Sequence, residues 1–287
     1  MSERKAKLQY VIAVLLYGTI GMLLRQIQAP SELVVLCRGV IGTITILTIL
    51  TCKGRKLNWK AIRENGKMLV ISGICLGLNW VLLFAAYRVT TVAIASLCNY
   101  MAPIIVVLLA PMFFGDKLTG KKLLCVAAAF CGIVLVSGVV EGGMEGVNKT
   151  GVALGLSAAV CFVIIVLCNR KIHGVDALEK SAVQLSVSAL TVLPYVIWAN
   201  GGIPFPHDGL SIFLILVLGV VHTGLAYIFY FGSLGSIPVQ SVALLGYLEP
   251  VVSVLTSALI LKEAMTPFGI VGACLIIAAA AASELIS

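Results

Sequence analysis

Residues 77–119 recur, position for position, at residues 224–266. A shift of 147 superposes Gly77 on Gly224, Trp80 on Tyr227, Phe84 on Phe231, Tyr100 on Tyr247 and Pro103 on Pro250. The register continues through Asp116 over Glu263 and Thr119 over Thr266. That shift divides the 287 residues into two similar halves, which predicts units at 1–144 and 145–287. Hydrophobic residues make up 60% of the chain and charged residues 11%, and the mean hydropathy is +1.10. Internal duplication of so apolar a chain is how many transporter folds place a substrate site between repeats.

The same composition excludes an ordinary soluble domain, in which about a quarter of residues are charged. The net charge of +8 does not point to nucleic acid, because the Lys and Arg residues sit between apolar runs instead of forming a basic patch on a folded surface. Most of the nine cysteines fall inside apolar runs, where free Cys behaves as a small hydrophobe. No CxxC pair or Cys/His cluster predicts a metal, a cofactor or an obligatory disulfide.

A helix needs about 20 largely apolar residues to cross about 30 Å of hydrocarbon. The runs near 8–27, 32–52, 67–87, 90–113, 121–140, 150–169, 179–199, 209–232, 238–261 and 266–285 predict an all-α membrane protein of ten spans. Basic residues collect before span one (Arg4, Lys5, Lys7), after span two (Lys53 to Lys67), after span four (Lys117, Lys121, Lys122) and after span six (Arg170, Lys171, Lys180). Cytoplasmic loops retain Lys and Arg, so both termini are expected in the cytoplasm. Two repeats of five spans then run in opposite directions, the arrangement expected for alternating access.

Several motifs carry a resemblance. Tyr17-Gly18 is an aromatic-Gly pair in span one, and Arg38 lies early in span two. A Tyr-x-x-Pro element with a following acid occurs twice, as Tyr100 to Pro103 with Asp116 and as Tyr247 to Pro250 with Glu263. In these features the chain resembles the ten-span, EamA-type members of the drug/metabolite transporter superfamily. The resemblance implies a secondary transporter of small organic metabolites, with a central cavity lined by spans one, three, four, six, eight and nine. Two departures stand out: Cys161 beside Phe162 occupies the place of a second aromatic in span six, and Gln184 is the approximate counterpart of Arg38.

Glu249 is the lone acid deep in a span, roughly 16 Å along span nine at 1.5 Å per residue. An intramembrane carboxylate must pair, face water or take a proton. Glu249 is therefore either a structural group beside Pro250, a proton-coupling site or a counter-charge for a cationic substrate. Arg38 is shallow enough to snorkel, so it reads as an anchor or interhelical partner, with substrate contact as the alternative. His222, the only histidine inside a span, is a buried hydrogen-bonded residue or a second proton relay. Tyr17, Trp80, Tyr100, Tyr227 and Tyr247 lie too deep for an interfacial belt, and with Asn79 and Asn99 they suit a small amphipathic or cationic ligand. Pro103 and Pro250 break spans four and nine at matching places and are expected to be gating or cavity-lining positions.

The expected function is secondary active transport of a cationic amine, an amino acid or another small metabolite, driven by protons or another ion gradient. A promiscuous exporter, a non-transporting binding protein and a membrane enzyme are the alternatives. A monomer in the bilayer is expected, with a homodimer as the other option. An ATP-driven mechanism lacks a phosphate-binding loop.

Overall fold

Inside hydrocarbon, backbone amides must find their partners within the segment itself, so long apolar runs form helices. The computed structural model describes residues 2–114, 119–136, 140, 148–234, 236–237, 245–246 and 248–286. All regular structure among them is helical. Six helices are long and apolar enough to cross a membrane: α1 (Glu3–Gln26), α2 (Ser31–Cys52), α4 (Gly66–Val89), α8 (Lys149–Lys171), α9 (Ala177–Asn200) and α10 (Gly209–Leu234). Their ends fall within five residues of the spans expected from the sequence.

The remaining helices are shorter. A six-residue helix, α3 (Trp59–Glu64), forms in the basic second connection, where only a loop was expected; the Asn58 side chain caps it by accepting from the Ala61 amide. The expected fourth span is broken into α5 (Val92–Asn99) and α6 (Ala102–Phe114). Pro103 explains the break, because its ring clashes with the carbonyl four residues back, at Asn99, and it has no N–H to donate there. Next come α7 (Gly120–Val136), α11 (Leu248–Ile260) and α12 (Pro267–Ile286). Pro250 lies in the first described turn of α11, where a missing N–H costs little. Asp116 and Tyr247 lie outside the described residues.

The 147-residue shift carries α1 onto α8, α2 onto α9, α4 onto α10 and α7 onto α12, with ends matching to within four residues. The packing follows the same exchange. α4 packs on α8 as α1 packs on α10; α4 on α9 as α10 on α2; α6 on α8 as α11 on α1. The pairs α2 with α9 and α7 with α12 map onto themselves.

Lipid tails are as apolar as the side chains, so these contacts rest on close fit. A Cβ on Gly73 would come 2.6 Å from Val187, one on Gly155 2.7 Å from Cys98, and one on Gly18 2.7 Å from Val252. The basic connections meet at one end of the bundle: Arg55 pairs with Asp176 at 3.1 Å, and Asn65 donates to the His173 carbonyl at 2.9 Å.

Candidate functional site

Arg38 projects from α2 into the middle of the helices and is 2% exposed. Its guanidinium carbon lies 4.2 Å from the centre of the Trp80 ring and 5.3 Å from that of Phe84, so two rings of α4 supply cation-π contacts. Its Nε donates to Thr223 Oγ1 at 3.0 Å. Thr223 can stand there because α10 opens into a π-helical stretch, Val220–Leu225, in which the Thr223 hydroxyl donates to the Leu218 carbonyl at 2.8 Å. Such bulges recur at functional sites. The corresponding stretch of α4 is regular helix.

On the other side of this space a layer of tyrosines gathers. Tyr17 of α1 meets Tyr227 of α10 edge to face at 6.1 Å and Tyr230 at 5.9 Å, and Tyr10 lies 5.0 Å from Tyr230. Tyr17, Tyr87 and Tyr227 each interact electrostatically with both Arg38 and Glu249. Arg38 and Glu249 thus share these three neighbours, and they form no ion pair with each other among the described residues. The Tyr100 hydroxyl is within hydrogen-bonding reach of the Glu249 carboxylate. Tyr17, Tyr100, Tyr227, Tyr230 and Glu249 are enclosed by protein yet keep part of their surface open.

The structure thus brings together Tyr17, Arg38, Trp80, Tyr100, Tyr227 and Glu249. Asn79 and Asn99 meet each other instead. Asn79 Nδ2 donates to Asn99 Oδ1 at 3.1 Å and to the Ala158 carbonyl at 2.7 Å, so both its protons tie α4 to α5 and α8. Gln184 is similarly spent, donating to Ser72 Oγ at 2.6 Å and to Asn169 Oδ1 at 2.8 Å. His222 is buried beside the site, 3.1 Å from Thr19 Oγ1. Through Arg38, α2 contributes to this cluster. Sequence reasoning missed Tyr87, Tyr230 and Thr223. Tyr87 joins Ser96 at 3.1 Å, and Ser96 joins Ser253 of α11 at 2.6 Å. The i, i+3 spacing of Tyr227 and Tyr230 on one helix was the available signal for Tyr230.

One end of the space is shut by charge. Arg25 at the end of α1 pairs with Glu263 at 2.6 Å and donates to the Thr90 carbonyl at 2.7 Å. The other oxygen of Glu263 accepts from the Val92 amide at 2.8 Å and from Ser257 Oγ at 2.6 Å. Lys262, with φ of 54°, turns the chain in the left-handed region just before Glu263. At the same end Arg88 donates to the carbonyls of Ile27 and Ala29, both at 2.9 Å. Arg25 and Arg88 are therefore interhelical ties. A separate hollow of about 340 Å³ lies at the basic end, between Leu47 and Trp59, and contains none of the clustered residues. Among the described residues no group of His, Cys, Asp and Glu could hold a metal ion.

These features define the class: a multi-pass membrane protein, all-helical among the described residues, whose aromatic and charged side chains converge between the helices. The chain belongs to the EamA-like transporter family, whose model matches it twice, at residues 5–138 and 149–283, and through it to the drug/metabolite transporter superfamily. It is similar to the uncharacterized transporter YxxF of Bacillus subtilis (strain 168), 24% identical over 87% of this chain and 79% of the relative. It is also similar to the protein RarD of Streptomyces exfoliatus, 22% identical over 91% and 84% of the two chains. A probable amino-acid metabolite efflux pump of Escherichia coli (strain K12) is 28% identical over 64% of each chain. A solved crystal structure shares the fold, with a TM-score of 0.69, 20% identity and 98% of each chain covered.

Proposed function

We propose that this protein is a secondary active carrier that moves a small organic metabolite across the cytoplasmic membrane, coupled to protons through Glu249. The observation that carries the reading is the setting of Glu249. It is a half-buried carboxylate within reach of the Tyr100 hydroxyl, close to Tyr17, Tyr87 and Tyr227, and in no ion pair among the described residues. In such a place a carboxylate that exchanges a proton can link two gradients through one site.

The architecture of the proposal is ten spans in two inverted five-helix repeats, divided near residue 144, with both termini cytoplasmic. Four apolar helices below full membrane length, Val92–Val106, Leu123–Val136, Leu248–Ile260 and Pro267–Ala279, supply the spans beyond the six long ones. The pairwise exchange of helix contacts under the 147-residue shift supports a pseudo-two-fold relation, and the gathering of the basic connections at one end supports the orientation. Alternating access would rock one repeat against the other, with Pro103, at the break between α5 and α6, and Pro250 as hinge positions. Tyr17, Trp80, Tyr100, Tyr227 and Tyr247 are the proposed substrate wall, and a cationic amine or an amino acid is the proposed substrate. The name of the Escherichia coli relative favours export of an amino-acid metabolite.

Glu249→Gln keeps the side-chain shape and removes the titrating group. In proteoliposomes it is expected to abolish accumulation driven by a pH gradient while leaving passive exchange of substrate. Undiminished proton dependence in a well-inserted Glu249→Gln protein would place coupling elsewhere, with His222 next to be replaced.

A further inference from the structure

The Arg38 guanidinium is furnished for a guest. Of its five N–H groups only Nε is spent, on Thr223, and no carboxylate of the described residues lies within ion-pair distance of it. Yet its terminal nitrogens are not sealed. Among the described residues the only fully buried side-chain nitrogen or oxygen atoms without a partner are Arg25 Nε and Ser188 Oγ. The two terminal nitrogens of Arg38 therefore keep some accessible surface while the side chain as a whole is 2% exposed.

A charged group held this deep without a counter-charge is costly. Trp80 and Phe84 offset part of that cost through their ring faces. Stacking on the rings leaves the in-plane N–H donors unused, and Thr223 holds Nε so that the pair of terminal nitrogens faces away from it. Two parallel N–H donors in one plane match the two oxygens of a carboxylate.

We propose that Arg38 is the anchor for a carboxylate of the transported metabolite, received end-on by its two terminal nitrogens while Thr223, Trp80 and Phe84 fix the plane of the fork. This rests on the carrier reading and narrows it, because a substrate that is only a cation would leave Arg38 unpaired. The tyrosine layer then meets the body of the substrate, and Glu249 has Tyr17, Tyr87 and Tyr227 as neighbours in common with Arg38. A substrate with an ammonium group as well as a carboxylate has a place for each charge.

The test compares molecules that differ in the carboxylate alone. Purified protein in detergent is titrated with the standard amino acids and phenylacetate, and with the decarboxylated amines of the same amino acids, while thermal stability is followed. Stabilisation by one or more carboxylate compounds, absent with the matched amines, is expected. Arg38→Gln is expected to weaken that binding by about 10- to 100-fold, the scale of a charge-assisted bidentate contact. Arg38→Lys, which keeps the charge and loses the fork, serves if the glutamine variant does not fold; it is expected to bind the same carboxylates at least several-fold more weakly.

Stabilisation by amines as strong as by their parent acids, no stabilisation by any carboxylate, or full affinity in the well-folded variants would overturn the assignment. The carrier reading is separable in proteoliposomes. A protein that accumulates an amine on a pH gradient but ignores carboxylates keeps the carrier and loses the Arg38 anchor. Arg38-dependent carboxylate binding with no movement of any bound compound keeps the anchor and loses the carrier.

Discussion

Asp208 shows how a single side chain starts a helix in this protein. It precedes Gly209, and its carboxylate accepts from the Ser211 amide at 2.7 Å, satisfying one of the free N–H groups at the start of α10. The Ser211 amide first, and then the Ser211 hydroxyl, hold the carboxyl below the usual carboxylate range. A group whose pKa is lower in the folded state adds stability above its unfolded value, about 3.9 for Asp, and loses it as pH falls through the folded value. Asp208→Ala should therefore melt at a lower temperature than the parent at pH 7, and the difference should shrink below about pH 4. A constant difference down to pH 3 would mean that the anion is not what stabilises the cap. Other residues were readable to differing depths. Glu249 stood out because no other acid lies so far inside an apolar run. Tyr87 and Tyr230 did not, because repeat matching favours symmetric positions and theirs face Leu234 and Leu83. The open fork of Arg38 was not readable at all, since it depends on where Thr223 arrives from another helix.

At the scale of helices, fit between small residues decides stability. Gly73 lets α4 approach α9 until a Cβ there would lie 2.6 Å from the Val187 Cβ and 3.0 Å from the Gln184 carbonyl, neither of which can swing aside. Overpacking of this kind costs about 1–3 kcal/mol. Gly66, at the start of the same helix, has nothing within 4 Å of the position a Cβ would take. Gly73→Ala is therefore expected to be destabilising by about that amount in reversible unfolding, and Gly66→Ala to be neutral or mildly stabilising. Equal effects would assign both to helix propensity instead of contact. Gly73 and Gly77 stand at the small-xxx-small spacing of close helix contacts, a signal visible in the sequence, as run length was for the six long helices. The π-helical stretches at Val220–Leu225 and Thr256–Ile260 were announced by nothing. Their residues read as ordinary apolar helix, and the same positions in the first half form regular helix. What the first serves is tertiary, since Thr223 meets Arg38 across 185 residues of sequence, whereas Ser257 bonds Glu263 six residues further on.

In the whole molecule, the Arg25 to Glu263 pair joins α1 to the segment after α11, and hydrogen bonds extend it to the α4–α5 join at Thr90 and Val92. All of these groups sit at the end of the bundle away from the basic connections. If the carrier works by alternating access, this network is the latch of that end, and its opening must break a partly buried pair whose side chains are 30% and 13% exposed. Glu263→Gln keeps an acceptor for the Val92 amide and removes the charge. The hydrogen bonds lost or weakened are charge-assisted and worth about 1.5–3 kcal/mol, enough to raise the open population by about 10- to 100-fold. A cysteine at Ser96, beneath the latch and linked to Ser253 of α11, can report that opening in a background otherwise free of cysteine. A membrane-impermeant thiol reagent added on the side away from the basic connections should label it by that factor faster in Glu263→Gln than in the parent. A labelling rate unchanged by Glu263→Gln would show that the network holds the helices together in every state and does not gate the cavity.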